Sequence, residues 1–328
     1  MKRLVVAHEG LEPTHCAILE ERLGSGTIDW RPIEEMGGDL PGCDVLIVKD
    51  LEVTHETVKS IDGLQLVVAL SPGKSRLDED ALRAAGLAVE RMKWPALIGV
   101  AEHTLLLMLA LAKRFVGSVT RARTNQYPAT VVPKETTQTE YAFNWTQETG
   151  LDVLYRRTLG IVGMGWIGRE VARRAAAFGM NVIYHDPCRL SEIEEKTLGV
   201  SPVSFDELLG RSDFVSLHTR LSEGTERMID EDALGRMKPT AYLINTARGR
   251  LIDEEALIRA LQTEQIAGAG LDVFWKEPPE AENPLLSMSN VLVTPHDAGI
   301  FIGDAAVMVG HFLADAIETQ VNSAEVNE

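Results

Sequence analysis

The stretch GIVGMGWIGRE, residues 160–170, places Gly163, Gly165 and Gly168 in the pattern G-x-G-x-x-G. Glycine-rich turns are common, so the pattern alone is weak and its flanks decide. TLGIV before it is a β-branched run that reads as a strand, and REVARRAAAFG after it reads as a helix closing on a glycine. In a strand–turn–helix the three glycines serve in turn the tight bend, the close approach of a ligand to the backbone, and close helix–strand packing. The N-terminus of that helix then offers free N–H groups and a positive dipole end to a pyrophosphate. Downstream, NVIYHDP ends in Asp186. An acid there accepts hydrogen bonds from the adenosine ribose and repels a 2′-phosphate, so the expected cofactor is NAD(H) rather than NADP(H). The same Asp before Pro187 also suits a turn, and Arg189 close behind could soften the preference.

Outward from this turn the chain alternates between two periods. SFDELLGRS and DEEALIRALQTEQ have helical spacing, while DFVSLH, TAYLINTA, IAGAGLDV and NVLVTPH are short apolar runs. The first hundred residues repeat the theme, with RLVVAH, CDVLIV, LQLVVAL and LAVERM as strands among helical segments. Such alternation argues for an α/β chain built of two doubly wound parallel-sheet domains. PALIGVAEHTLLLMLALAKRF reads as one long apolar helix, buried between domains or at a subunit contact. Residues 124–149 lack either period and read as a long functional or mobile loop.

Bulk properties narrow the partners. The 328 residues suit two domains, and the net charge of −17 repels phosphate backbones and anionic membranes. No compensating basic patch stands out: the densest, Arg114 to Arg123, reads as the solvated end of a helix. Neither nucleic acid nor membrane is therefore expected as a partner. MKRLVVAHEG carries too short an apolar run for a signal peptide, and Cys16, Cys43 and Cys188 show no metal-type spacing. A soluble cytoplasmic protein without a metal is the expectation.

Hydride transfer to a ketone needs a proton donor near the carbonyl oxygen and a cation for an adjacent carboxylate. Three stretches supply candidates at strand ends, where ligands gather in open α/β sheets. LINTARGRLID carries Arg248, LDVFWKEPP carries Glu277, and VLVTPHDAG carries His296. A histidine–carboxylate pair keeps imidazole protonatable near neutrality, and arginine binds carboxylate with a planar fork. Singly each suits a structural role; together, beside a dinucleotide turn, they suggest an active site.

These motifs, with VAEHTLLLMLAL, resemble those of the D-isomer-specific 2-hydroxyacid dehydrogenase family over nearly the whole chain. The resemblance implies an NAD-binding Rossmann domain (residues 99–296) and a discontinuous flavodoxin-like catalytic domain (residues 1–98 and 297–328). It implies an NAD-dependent oxidoreductase interconverting a D-2-hydroxy acid and its 2-keto acid. Arg248 would bind the substrate carboxylate, His296 would donate the proton, and Glu277 would hold His296. Cofactor contacts would come from Gly163, Gly165, Trp166, Ile167, Gly168, Asp186, His218, Thr246, Ala247, Arg248, Asp272, His296 and Gly299, with Asp272 at the nicotinamide carboxamide and His218 beside the adenosine. A homodimer is implied as well. The competing reading is a catalytically idle NAD(H)-sensing binding protein on the same fold, against which the full Arg–Glu–His set counts.

The chain departs from its relatives around the substrate. LSPGKSRLD, residues 70–78, replaces a loop like A-G-x-G-x-D-N-I-D, keeping Gly73 and Asp78 but bringing Lys74 and Arg76. The amides of Gly73 and Lys74 would hold the substrate carboxylate; Lys74 either recognises a second anionic group or points to solvent. Lys93, Trp94 and Ala96 replace a usual Pro-Gly and Asn, and Trp94 either walls a pocket or packs in the hinge. The 124–149 loop is longer than expected and holds Tyr127, Tyr141, Phe143 and Trp145, and PHDAGIFIGDA lacks a common Thr.

Overall fold

A computed structural model describes residues 3–33, 42–49, 51–70, 77–92, 94–300 and 303–325. Its contacts divide the chain into two compact units, Met1–Trp94 with Phe301–Glu328, and Pro95–Ile300. Gly73, Lys74, Arg76 and Lys93 lie outside the described residues.

The first unit carries a five-stranded parallel sheet. Its strands are β1 (Leu4–His8), β2 (Ile28–Pro32), β3 (Val45–Val48), β4 (Leu66–Ala69) and β5 (Ala88–Arg91), in the order β2-β1-β3-β4-β5. Every residue of β3 and β4 is buried, so both read as unbroken apolar runs rather than alternating ones. The edge strand β2, IDWRP, escaped the sequence reading because it holds Asp and Pro. Pairing with β1 from Leu4↔Ile28 to His8↔Pro32 supplies what propensity does not. Helix α1 (Pro13–Leu23) packs on the C-terminal α11 (Ala305–Glu325), joined by Arg22 to Asp315 and Glu318. The Trp94 ring packs against this unit's core, and its indole N–H donates to Leu70 O (2.5 Å), which gives the ring a structural partner.

The second unit carries a seven-stranded parallel sheet in the order β12-β11-β10-β9-β6-β7-β8. Its strands are β6 (Thr158–Val162), β7 (Asn181–His185), β8 (Val200–Pro202), β9 (Phe214–Leu217), β10 (Tyr242–Asn245), β11 (Gly268–Leu271) and β12 (Val291–Val293). The winding reverses between β6 and β9, and a doubly wound sheet binds ligands outside the carboxyl ends at that point. Helix α6 (Trp166–Ala177) follows β6 directly.

One expectation is corrected here. The long apolar helix is two helices, α4 (Pro95–Ala112) and α5 (Phe115–Arg123), bent by 61°. Arg114 between them takes φ +45°, which ends α4. The basic stretch is thus a separate helix with no buried residue, not the frayed end of α4. Helix α4 is apolar because Ala101, Leu105, Leu107, Met108 and Leu111 fill this unit's own core. No single described helix is long and apolar enough to cross a membrane. Beyond α5 the polar loop contains no helix or strand through residue 157. It is pinned by the Arg121–Glu148 ion pair (2.6 Å) and by edge-to-face packing of Tyr127 on Trp145.

Candidate active site

The glycine turn is built by close approach. Gly163 has φ +95°, and a Cβ there would stand 2.7 Å from the backbone carbonyl of His218. A Cβ on Gly168 would lie 2.3 Å from Gly163 O, so only glycine seats α6 this close to its strand. A Cβ on Gly165 would meet nothing within 4 Å. The amides of Trp166 and Ile167 open α6, and no helical carbonyl precedes them to accept their hydrogen bonds. The turn therefore fits a dinucleotide's phosphates.

Asp186 is tied to this turn. Its Oδ2 accepts from Met164 N and its Oδ1 from Cys188 N, both at 2.7 Å. The two roles open in the sequence are compatible: the carboxylate closes the turn at Pro187, and each oxygen keeps a lone pair for a ribose hydroxyl. Arg189 forks onto Glu195 at 2.9 and 3.0 Å, and Tyr184 OH donates to the same carboxylate. The cation nearest Asp186 in sequence is thus already paired. His218 pairs through Nε2 with Ser216 Oγ (2.8 Å), and burial pushes its pKa down to about 3. It stands neutral beside the glycine turn.

Three strand ends carry the remaining groups. After β10, buried Asn245 donates from Nδ2 to Arg248 O (2.9 Å) and accepts from Ala247 N (3.0 Å). One side-chain amide thereby folds the loop through Thr246, Ala247 and Arg248. The exposed Arg248 guanidinium donates to Ala247 O (2.6 Å), and no carboxylate among the described residues lies within ion-pair distance of it. Its neighbour Arg250 is instead paired with Glu226. At Gly249 a Cβ would stand 2.0 Å from Phe274 C, which brings the Arg248 loop against the segment after β11.

That segment holds Glu277. Its Oε1 accepts from Phe274 N (3.0 Å) and its Oε2 from His296 Nδ1 (2.6 Å). Burial pushes the Glu277 carboxyl up. The hydrogen bonds from His296 and Phe274, with the charges of His296 and Arg248, outweigh this and hold it below its usual range. Because the carboxylate takes Nδ1–H, the Nε2 of His296 is left for a reacting atom. His296 itself sits in the left-handed region, at φ +56°. A mostly apolar cleft of about 430 Å³ opens beside the pair, lined by Phe274, Pro278, Pro279, Leu286 and Val293 among others.

Asp272 is fully buried. Its Oδ1 accepts from Thr294 Oγ1 (2.6 Å) and Asp297 N (3.1 Å), and its Oδ2 from Ala298 N (3.1 Å). Gly299 lies against α4, 3.7 Å from Val100 Cγ2 to a built Cβ. Ligand atoms of His103, Asp272 and Asp297 lie within 4.8 Å of one another, the outline of a cation cage. The hydrogen bonds argue against that use. Thr294 has one hydroxyl proton and gives it to Asp272, so His103 Nε2 must donate its own proton to Thr294 (2.9 Å) and has no lone pair there.

The structure thus brings Arg248, Glu277 and His296 to adjoining strand ends of one sheet. It groups Gly163, Gly165, Gly168, Asp186 and His218 at another point of the same edge. Sequence reasoning missed Asn245, Gly249, Thr294 and His103. Three of them carried a signal: an Asn closing a strand, a Gly between two arginines, and a His inside an apolar helix.

Turn, fold and histidine–carboxylate pair together fit an oxidoreductase of the dinucleotide-binding class. Residues 105–298 match the family model described as D-isomer specific 2-hydroxyacid dehydrogenase, NAD binding domain. The chain is 39% identical to a glyoxylate reductase of Korarchaeum cryptofilum over 257 residues, covering 78% of this chain and 73% of that one. A hydroxypyruvate reductase of Thermotoga maritima is 36% identical, with 87% of each chain covered. A D-3-phosphoglycerate dehydrogenase of Methanocaldococcus jannaschii is 35% identical over 87% of this chain, which spans only 51% of that relative's length. Among solved structures, a D-isomer specific 2-hydroxyacid dehydrogenase of Lactobacillus delbrueckii in its NAD complexed form matches at TM-score 0.56 and 26% identity, covering 98% and 97% of the two chains. An acyclic imino acid reductase in complex with NADPH and D-Arg matches equally, at TM-score 0.56, 26% identity and 98% of each chain. The chain belongs to the D-isomer specific 2-hydroxyacid dehydrogenase family.

Proposed function

We propose that this chain reduces a small 2-keto acid to the D-2-hydroxy acid, reversibly, with NADH. The observation that carries the reading is the 2.6 Å Glu277–His296 pair on the same strand-end edge as Arg248, which makes no ion pair among the described residues and whose charge acts on Glu277. A bound nicotinamide supplies or accepts the hydride at the substrate's second carbon. Arg248 holds the substrate carboxylate with its fork and polarises the neighbouring carbonyl. His296 Nε2 gives a proton to the carbonyl oxygen during reduction and takes it back during oxidation. Glu277, kept ionised, fixes the Nδ1–H tautomer and offsets the imidazolium charge.

Asp186 at the ribose position and the pairing of Arg189 with Glu195 support NAD(H) over NADP(H). The reductase relatives support glyoxylate- or hydroxypyruvate-sized substrates. Exposed Phe115, Val116, Val132, Tyr141 and Phe143 support a homodimer through this part of the second unit. Free Cys16, Cys43 and Cys188 suit a reducing cytoplasm.

The test is NADH consumption by purified protein against 2-keto acids running from glyoxylate and pyruvate through hydroxypyruvate and 2-ketoglutarate to phenylpyruvate. Turnover on the small members is expected. NADH bound but not consumed by any of them would replace this reading with the sensor.

A further inference from the structure

The loops after β10 and β12 are not neighbours in the sheet, because β11 lies between their strands. Beyond the strand ends no ladder hydrogen bond fixes their separation. Yet the distance between Arg248 on one and His296 on the other must suit a single small substrate, if the proposed function holds. Helix α4 touches both. We infer that two successive residues of this helix, His103 and Thr104, are positioning residues that set the spacing between carboxylate clamp and proton donor.

The hydrogen-bond directions follow from proton counting. Thr104 Oγ1 is fully buried and donates to Val100 O (2.8 Å), one turn back in its own helix. Its contact with Thr246 Oγ1 (3.1 Å) therefore has Thr246 as donor. Thr246 lies on the loop that Asn245 folds, so Thr104 anchors the base of the Arg248 loop. His103 Nε2 donates to Thr294 Oγ1, which donates in turn to Asp272 Oδ1. Asp272 then holds Asp297 N and Ala298 N. His296 is gripped from the residue two before it and from the two after it.

That grip has a reason. A non-glycine residue at φ +56° is sterically disfavoured and persists only where its surroundings over-determine it. Adjacent residues on a helix point about 100° apart, so one rigid segment reaches two loops at once. Gly99, a turn earlier, adds a third contact: a Cβ there would stand 3.0 Å from Ala298 O.

The two ties predict different kinetic signatures. Thr104→Val frees the Arg248 loop and should raise KM for glyoxylate or hydroxypyruvate about 5- to 10-fold, with kcat within about twofold. Thr294→Val and His103→Leu free the His296 turn and should lower kcat about 10- to 100-fold, with KM little changed. Thr294→Ser and His103→Gln, which keep the hydroxyl and a donor nitrogen, should restore most of the loss. NADH should still bind throughout, read by fluorescence, because the glycine turn is untouched. In wild type the far-downfield proton resonance of the Glu277–His296 hydrogen bond should be present, lost in Thr294→Val and kept in Thr104→Val. Rates falling in step with Tm for every variant, or no rescue by Ser and Gln, would overturn the inference. If wild type turns over no keto acid, the proposed function fails instead. The proton resonance then still decides, because its survival in Thr294→Val would show that His296 does not depend on this network.

Discussion

Gly249→Ala puts the assembly of the site to a steric test. The added Cβ would lie 2.0 Å from Phe274 C, 2.1 Å from its O and 2.5 Å from Trp275 N, where ordinary contact begins at 3.4 Å. All three atoms are backbone, so no rotamer change relieves the clash, and the two segments must part by about 1 Å or more. One of them carries Arg248; the other carries Phe274, whose N–H holds Glu277. Overpacking of this kind costs about 1–3 kcal/mol, or roughly 2–12 °C of Tm for a unit of this size. Misplacement by about 1 Å of groups that hold a substrate costs on the order of 100-fold in rate. The glycine turn lies at a different strand end, so NADH should still bind by its phosphates, with any weakening confined to the nicotinamide end. The assay combines calorimetry, NADH fluorescence titration and steady-state reduction of the best keto acid. A variant with kcat/KM within twofold of wild type and unchanged Tm would refute the close approach and the role given to it. Loss of NADH binding together with activity would show that the change is not confined to this corner.

His296→Asn should reduce kcat by about 10²- to 10⁴-fold while NADH still binds, the usual worth of a positioned acid–base group; near-normal turnover would discard the mechanism. Asp186→Ala should narrow the ratio of NAD to NADP affinity measured by titration, and an unchanged ratio would reduce Asp186 to its turn role. His218, held near 3 against an ordinary 6.5, binds a proton in the unfolded chain but not in the folded one across that window. Its contribution is complete above pH 6.5 and is lost as pH falls towards 3, by at most about 1.4 kcal/mol per pH unit and less where solvent reaches the ring. Urea midpoints of wild type and His218→Asn at pH 7 and 5 should therefore differ in pH dependence, wild type falling more steeply.

Much of this was legible along the chain because the signals are local. VLIV, LVVA, FVSL and YLIN are strands buried on both faces, and a run of apolar residues bounded by turns shows in any window of sequence. The break of α4 at Arg114 was not legible, since Arg and Lys are good helix formers and nothing local marks a left-handed residue. Likewise β2 and β8 are short edge strands whose residues owe their state to a neighbour rather than to propensity.

The sequence by itself determined the glycine turn between strand and helix, the acid after the next strand, and the residue types suited to moving a hydride and a proton. These depend on spacing within one strand–turn–helix or on the chemistry of a side chain. Only the tertiary structure decided which atoms meet. Glu277 reaches His296 Nδ1 across 19 positions, Thr104 reaches Thr246 across 142, and His103 reaches Thr294 across 191. Contacts at such separations are set by the order of strands in the sheet and by which helix packs under their ends. Chain spacing carries no record of either, because a hydrogen bond acts over about 3 Å of space whatever length of chain lies between its partners.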